Sequence, residues 1–246
     1  MTQTDRPVSA RDRILVALDF DNAADAVALT QSLRGAVGGV KVGLELVNAA
    51  GFDIFDQLTD AGAERIFYDA KFHDIPNTVA GAIRAAARRG VWMVNIHASG
   101  GSAMMRAARE AANTVATPPL LIAVTVLTSI DTATLNADLR VPGDAAALVV
   151  HLAKLAKDAG MDGVVASPQE VSAIHAECGA QFVTVIPGIR PAGVAVNDQA
   201  RVATPAMAIQ AGAHYLVVGR AITAAPDPQA AAHAIAQEIA DAASAA

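Results

Sequence analysis

Eight short apolar runs, rich in β-branched residues, recur along the whole chain. Continuous apolar runs of this length are typical of parallel strands that are buried on both faces. The sequence therefore predicts eight strands, at residues 14–18, 39–42, 65–69, 93–96, 120–126, 163–166, 182–186 and 215–218.

Alanine-rich stretches with helical spacing lie between these runs, at residues 23–33, 45–61 with a break near Gly51, 79–89, 103–112, 145–159, 168–177, 205–211 and 228–243. Several end at a glycine, the residue that adopts a left-handed helix terminus at least cost (Gly62, Gly90, Gly160 and Gly212). An open doubly wound sheet would also alternate strands and helices. Eight full units in 246 residues, with no spare domain, favour a single-domain (β/α)8 TIM barrel of the α/β class. We expect the domain to span residues 1–246, with residues 1–11 as a flexible N-terminal extension.

Composition narrows the class of protein further. Hydrophobic residues make up 53% of the chain and charged residues 17%, which indicates a large core and is compatible with a surface covered by a partner subunit. The net charge of −6 argues against a nucleic-acid partner, because such binding needs basic patches. An acidic protein can still bind a small anionic substrate if a few positively charged side chains converge in one pocket.

The expected location is cytoplasmic. Residues 1–10 are polar and lack the apolar core of a signal peptide, and no apolar run reaches the roughly 18 residues of a membrane span. Cys178 is the sole cysteine, so neither an intrachain disulfide nor a cysteine-based metal site can form.

Polar side chains collect where the predicted strands end. In a β/α barrel these ends converge on one mouth, where active sites are built. This placement is the main indication of function, and the residues are Asp19, Lys41, Asp69, Lys71, His97, Thr128, Ser129, Ser167, Arg190, Gly219 and Arg220.

The densest polar cluster runs from residue 69 to residue 74. Strand alternation predicts that Asp69 and Lys71 point the same way, into the mouth, while Asp74 follows on the loop. Lys41, at the end of the neighbouring strand, can join them. Such a network is costly to desolvate and is rarely kept for stability alone, although salt bridges that seal the barrel end are the alternative.

A second signal follows the last two strands. Barrel enzymes often bind phosphate there, on backbone N–H groups. Gly219 allows a close backbone approach, Arg220 offers a bidentate guanidinium, and Arg190 supplies the adjacent wall. Either of these two segments alone is equally typical of an ordinary turn, but the two together favour a phosphorylated ligand.

Histidines do not form a metal-binding pattern in this sequence. His73 and His97 could be ligands, but isolated histidines are more often hydrogen-bonded structural groups, and no His, Asp and Glu set has ligand spacing. We expect no metal and no cofactor.

The cluster at residues 69–78 resembles the signature of the orotidine 5′-phosphate decarboxylase family, short bacterial type. Further segments resemble family segments in the same order, so that the resemblance spans residues 14 to about 224. Ala70 departs from the pattern, where a larger aliphatic residue is expected, but its side chain should face away from the pocket. The other segments are residues 16–19, 40–43, 95–101, 126–129, 187–191, 198–201 and 218–220.

The resemblance implies cofactor-independent loss of CO₂ from C6 of orotidine 5′-phosphate, giving uridine 5′-phosphate. Lys71 would protonate C6, Asp69 would lie against the departing carboxylate, and Lys41 and Asp74 would complete the charged network. Because the C6 carbanion has no conventional electron sink, the site must stabilise it electrostatically.

The resemblance also assigns contacts with the substrate. Asp19 and Lys41 would hold ribose hydroxyls, and Thr128 with Ser129 the pyrimidine edge. The full expected binding set is Asp19, Lys41, Asp69, Lys71, Phe72, His73, Asp74, Ile75, Pro76, Asn77, Thr78, Thr128 and Ser129, together with Arg190, Gln199, Gly219 and Arg220 around the phosphate.

The resemblance also implies a homodimer in which Asp74 and Thr78 are contributed across the subunit interface. Residues 192–201, rich in Gly, Asn, Asp and Gln, are interpreted as a lid over the phosphate.

Two alternatives remain at this point. A Mg²⁺-dependent sugar-phosphate decarboxylase or aldolase of the same superfamily also carries the Asp-x-Lys-x-x-Asp pattern, although residues 72–78 and 127–129 favour the nucleotide enzyme. The other alternative is a catalytically silent barrel that binds a nucleotide. Such a protein has no need of a charged network that is so costly to desolvate.

Overall fold

The computed structural model describes residues 9–191 and 203–245. Its centre is a closed barrel of parallel strands in which each strand pairs with the next along the chain and β8 returns to pair with β1. The strands are β1 (Ile14–Ala17), β2 (Gly39–Val42), β3 (Ile66–Phe72), β4 (Met93–His97), β5 (Leu120–Val124), β6 (Gly163–Val165), β7 (Val183–Ile186) and β8 (Tyr215–Val218). The predicted single-domain (β/α)8 TIM barrel is confirmed.

Helices surround this barrel and join its strands. In the described ranges they are α1 (Ala23–Ser32), α2 (Leu44–Ala50), α3 (Ile54–Asp60), α4 (Pro76–Arg88), α5 (Gly101–Ala112), α6 (Thr132–Ala137), α7 (Ala145–Asp158), α8 (Val171–Cys178), α9 (Pro205–Gln210), α10 (Arg220–Thr223) and α11 (Pro228–Ser244).

Alternation along the strands creates two cores. On β1, for example, Ile14 and Val16 pack with the surrounding helices, whereas Leu15 and Ala17 belong to the cluster inside the barrel. This interior layer also contains the buried Met93 and Ile122. Because the strands are buried on both faces, their sequences read as continuous apolar runs.

Aromatic rings lie at the amino end of the barrel. The Tyr215 ring, at the start of β8, meets the Trp92 ring edge-on at a centroid distance of 5.2 Å. The Arg65 guanidinium lies 5.1 Å from the centre of the Trp92 ring. Together with the interior layer, these side chains fill the barrel from below, so that open space is left at its carboxyl end.

Most element bounds agree with the sequence prediction to within a few residues. The predicted glycine termini are confirmed, since Gly62, Gly90, Gly160 and Gly212 all have positive φ. Strand β3 ends at Phe72, three residues beyond its predicted end, whereas β5 ends at Val124 rather than residue 126. Two short helices, α6 and α10, were not predicted, and the segment predicted as one helix at 168–177 is a 3₁₀ turn (Pro168–Glu170) followed by α8.

The described part of the N-terminal extension contacts the barrel. Arg11–Arg13 forms a 3₁₀ turn ahead of β1. The Arg11 guanidinium donates a hydrogen bond to the Gly35 carbonyl oxygen at 2.7 Å and lies 3.2 Å from a Glu64 carboxylate oxygen. Among the described residues, none of the helices is long and apolar enough to cross a membrane.

Candidate active site

A cavity of about 480 Å³ opens at the carboxyl ends of the strands. Its floor is apolar and includes Ala17, Phe67 and Val217, which belong to the interior layer. Its walls carry charged and polar groups from loops after different strands, as active sites of β/α barrels do. Eight of the residues predicted for the site line this cavity: Asp19, Lys41, Asp69, Lys71, Thr128, Arg190, Gly219 and Arg220.

Lys71 enters the cavity from an irregular part of β3. Its φ of 50° is left-handed, and Arg140 is the one other non-glycine residue with positive φ in the described ranges. The register of β3 on β4 shifts between Tyr68 and Phe72, so this part of the strand is a bulge. The sequence prediction that Asp69 and Lys71 meet is correct, but its reason, regular alternation along a strand, is not what the structure has. Ala70 is buried in the helix-side core, as expected.

The Asp69 carboxylate lies between two ammonium groups. Lys71 Nζ is 2.7 Å from Asp69 Oδ1, and Lys41 Nζ is 3.4 Å from Asp69 Oδ2. Lys41 Nζ also lies 3.1 Å from Asp19 Oδ1. The Lys41 side chain is almost fully enclosed while Asp19 is largely exposed, so the chain of charges runs from the solvent inward.

The two lysines determine the charge of Asp69. Burial acts to raise the pKa of this carboxyl, but the Lys41 and Lys71 ammonium groups and the hydrogen bonds from Lys71 and Asn95 outweigh burial and hold the pKa below its usual value. Asp69 is therefore an anion at neutral pH, and the site presents fixed charge of both signs on an apolar floor. Such an arrangement stabilises charge that develops during a reaction.

Asn95 is a site residue that the sequence prediction missed. Its side chain accepts a hydrogen bond from the Lys71 N–H at 2.7 Å and donates one to Asp69 Oδ1 at 2.7 Å. The signal was present in the sequence, because an amide interrupts the apolar run Met93-Val94-Asn95-Ile96 of β4. A fully buried amide in a strand needs partners, and here the partners are the two charged residues.

Asp74 and its neighbours are not brought into the cavity. Asp74 is exposed, and its Oδ1 accepts a hydrogen bond from the Ile75 N–H at 2.6 Å. Ile75 caps the amino end of α4 with 67% of its surface exposed. The exposed run continues through Pro76, Asn77 and Thr78 along the rim of the barrel.

The remaining predicted residues are divided between cavity and surface. Thr128 lines the cavity, whereas Ser129 is exposed outside its lining. Gly219 precedes α10, Arg220 is the first residue of that helix, and Arg190 also lines the cavity. Phe72 packs edge-on against Tyr68 at a ring distance of 5.7 Å, away from the lining. Gln199, and the whole predicted lid at 192–201, lie outside the described residues.

The two histidines at the mouth contact each other. The centres of the His73 and His97 rings are 5.3 Å apart. Burial, with the nearby charges of His73 and Lys71, lowers the pKa of His97, so its ring is neutral at neutral pH. Within residues 9–191 and 203–245, no group of three or more His, Cys, Asp and Glu side chains is arranged to hold a metal ion.

The closed barrel and the charged cavity at its mouth define a β/α-barrel enzyme. The model of the Orotidine 5'-phosphate decarboxylase / HUMPS family matches residues 12–235, and the chain belongs to this family. The chain is 52% identical over 235 residues to an orotidine 5'-phosphate decarboxylase from Moorella thermoacetica, covering 94% of this chain and 93% of the relative. It is 54% identical over 228 residues to one from Halorhodospira halophila, covering 93% and 96%.

A solved structure has the same fold over the same length. The crystal structure of orotidine 5'-phosphate decarboxylase from Lactobacillus acidophilus is similar with a TM-score of 0.80 and 42% sequence identity, covering 92% of this chain and 98% of that one. The likeness extends across the barrel and is not confined to one motif.

Proposed function

We propose that the protein removes CO₂ from orotidine 5′-phosphate to give uridine 5′-phosphate, a step of pyrimidine nucleotide synthesis. The observation that carries this proposal is the Asp69 carboxylate held between Lys41 and Lys71 on the apolar floor of the cavity. Relatives with about half of their residues identical to this chain are named orotidine 5′-phosphate decarboxylase. Their names favour this decarboxylase over a sugar-phosphate enzyme and over a catalytically silent barrel that binds a nucleotide.

The proposed reaction needs a stabilised carbanion and a proton. The bond between C6 and the carboxylate carbon breaks with its electron pair left on C6, and CO₂ departs. The Lys71 ammonium, which enters the cavity beside Asp69, stabilises that charge and then delivers the proton that forms the new C6–H bond. Solvent reprotonates the Lys71 amine. Neither a cofactor nor a metal takes part in this proposal.

The other charged residues hold the reacting parts in place. Asp69 lies against the carboxylate that departs, and Lys41, between Asp19 and Asp69, fixes the charge pattern and reaches the ribose with Asp19. Arg190, Gly219 and Arg220 bind the phosphate, and Thr128 contacts the pyrimidine. Because the phosphate is far from the bond that breaks, its binding energy serves to orient the ring.

A homodimer belongs to the same proposal. Asp74 stays outside the cavity of its own chain, and the rim from residue 74 to residue 78 is exposed and includes the apolar Ile75. A second chain would cover this rim and receive Asp74 and Thr78 into its own site. A cytoplasmic location is proposed as well, in keeping with a single, unpaired cysteine.

The decisive experiment is an assay of purified protein with orotidine 5′-phosphate, followed by the change in ultraviolet absorbance. Wild type should convert the substrate with or without a chelator, and Lys71→Ala should lose about 10²–10⁴-fold in turnover, because it lacks the proton donor. Activity that disappears with chelator would favour the Mg²⁺-dependent relatives. A folded wild type that leaves the absorbance unchanged would contradict the proposed function.

A further inference from the structure

The bulge of β3 is built around one residue of β4. The backbone pairs on either side of the bulge are Tyr68 with Val94 and Phe72 with Ile96. Between them, three residues of β3 (69–71) stand opposite Asn95 alone. A bulge leaves backbone groups without their ladder partners, and buried groups of this kind need substitutes.

The Asn95 side chain supplies these substitutes. Its Oδ1 accepts from the backbone N–H of Lys71, and its Nδ2 donates to Asp69 Oδ1, each at 2.7 Å. Lys71 Nζ donates to the same Asp69 oxygen. The amide orientation follows from its partners, because a backbone N–H can only donate and a carboxylate can only accept. The three residues form a closed ring of hydrogen bonds.

The ring holds a backbone conformation that Lys71 would otherwise leave. A left-handed conformation is disfavoured for a residue with a side chain and persists where the surroundings enforce it. In the structure, the hydrogen bond from the Lys71 N–H to Asn95 provides this constraint. The direction in which the Lys71 side chain enters the cavity therefore depends on Asn95.

Asn95 is fully buried and is absent from the lining of the cavity. We propose that Asn95 is a positioning residue for the decarboxylation, which fixes the Lys71 ammonium and the Asp69 carboxylate relative to each other and to C6 of the substrate. The inference rests on the proposed function of the same site. Asn95 acts through its two partners and does not touch the nucleotide.

Replacing the amide by an apolar group of similar size tests this role. Asn95→Leu removes both hydrogen bonds and should lower kcat about 100-fold, as expected for a misplaced reacting group. KM should stay within a few-fold of wild type, because the phosphate and ribose contacts are untouched. The matched control is Thr125→Val, which removes the buried hydrogen bond from Thr125 Oγ1 to the Val165 carbonyl oxygen at the same rim and should keep wild-type kcat.

A second variant gives a signature that a merely structural role would not produce. Asn95→Asp keeps an acceptor for the Lys71 N–H but places an anion against Asp69. When the new carboxyl takes up a proton, it becomes a donor to Asp69, as the amide was. The ratio of kcat in Asn95→Asp to kcat in wild type should therefore rise as the pH is lowered from about 8 to about 6. The same ratio for Thr125→Val should not change with pH.

The possible outcomes separate the two proposals. Wild type that does not convert orotidine 5′-phosphate overturns the proposed function and this inference with it. Active wild type with unchanged kcat in Asn95→Leu overturns the inference alone. If thermal melting shows that Asn95→Leu is unfolded, Asn95→Asp decides: a kcat ratio that does not change with pH overturns the inference, and one that rises as the pH falls supports it.

Discussion

Gly43 directly faces the ammonium group of Lys41. A methyl group at Gly43 would lie 3.0 Å from Lys41 Nζ, closer than ordinary van der Waals contact, and 3.7 Å from Asp19 Oδ1. The backbone of Gly43, with φ −100°, is one that any residue can adopt. The glycine is therefore required by the space that Lys41 occupies and not by its own conformation.

Gly43→Ala should accordingly impair the site without unfolding the barrel. The added methyl displaces Lys41 Nζ by a few tenths of an ångström or more, which disturbs its contacts with both Asp19 and Asp69. We expect kcat/KM to fall about tenfold or more, in line with the effect of small displacements of site groups. Steady-state kinetics measure this loss, and an unchanged melting temperature shows that the fold is intact. Wild-type kinetics in the variant would contradict the role given to this glycine.

Arg220→Ala should weaken catalysis by several kcal/mol although Arg220 is far from the reacting bond. The guanidinium is proposed to bind the phosphate, whose binding energy orients the pyrimidine. The measurement is kcat/KM with orotidine 5′-phosphate. Arg11→Ala, which removes an arginine from the opposite end of the barrel, is the control and should behave as wild type. Near-normal turnover in Arg220→Ala would refute the phosphate role.

Mixing two inactive variants tests whether Asp74 works in the neighbouring subunit. Lys71→Ala and Asp74→Ala should each be nearly inactive alone. In a dimer that contains one of each, one site lacks both residues and the other is complete. After equal amounts dissociate and reassociate, about a quarter of the wild-type activity should return, because about half of the dimers are mixed and each has one complete site. If Asp74 served its own chain, mixing would restore nothing.

The folded protein should lose stability in acid through His214. Burial is the main cause that lowers the pKa of His214 to about 4, with His175 and Arg13 nearby, whereas an unfolded histidine titrates near 6.5. Between these values the unfolded chain binds a proton that the folded chain does not. The stabilisation is therefore complete above about pH 6.5 and is lost as the pH falls towards 4, by about 3 kcal/mol at most.

Urea unfolding at pH 7 and pH 4.5 checks this prediction. His214→Asn keeps a side chain that can accept the hydrogen bond now made from the Thr184 N–H to His214 Nδ1 at 3.2 Å, but it does not titrate. The loss of unfolding free energy between the two pH values should be smaller in the variant than in wild type. Equal losses in the two proteins would show that His214 is not responsible.

The fold was predictable because its determinants are local. Apolar runs of strand length and glycines at helix ends follow from backbone geometry and burial, which a sequence displays directly. The short helix α6 was not predicted because its six residues are too few to show a periodic pattern. Its N-cap is nevertheless regular, since Asp131 accepts a hydrogen bond from the Thr134 N–H. Helix α10 is shorter still.

The sequence predicted the site only to the extent that the carboxyl ends of the strands meet at one mouth of the barrel. Position along the chain placed Asp19, Lys41, Asp69 and Lys71 at one mouth, and the structure brings them together. The bulge could not be predicted, because it depends on the register between β3 and β4, a relationship between distant parts of the chain. The role of Asn95 depends on that register. The place proposed for Asp74 depends on a second chain.

The filled lower half of the barrel has a consequence for product release. Met93 and Ile122 are fully buried beneath the cavity, and Trp92 and Tyr215 pack together below them. In the part of the chain that the structure describes, this leaves the mouth as the passage to bulk water. In the proposed reaction, carbon dioxide and uridine 5′-phosphate therefore leave through the same opening.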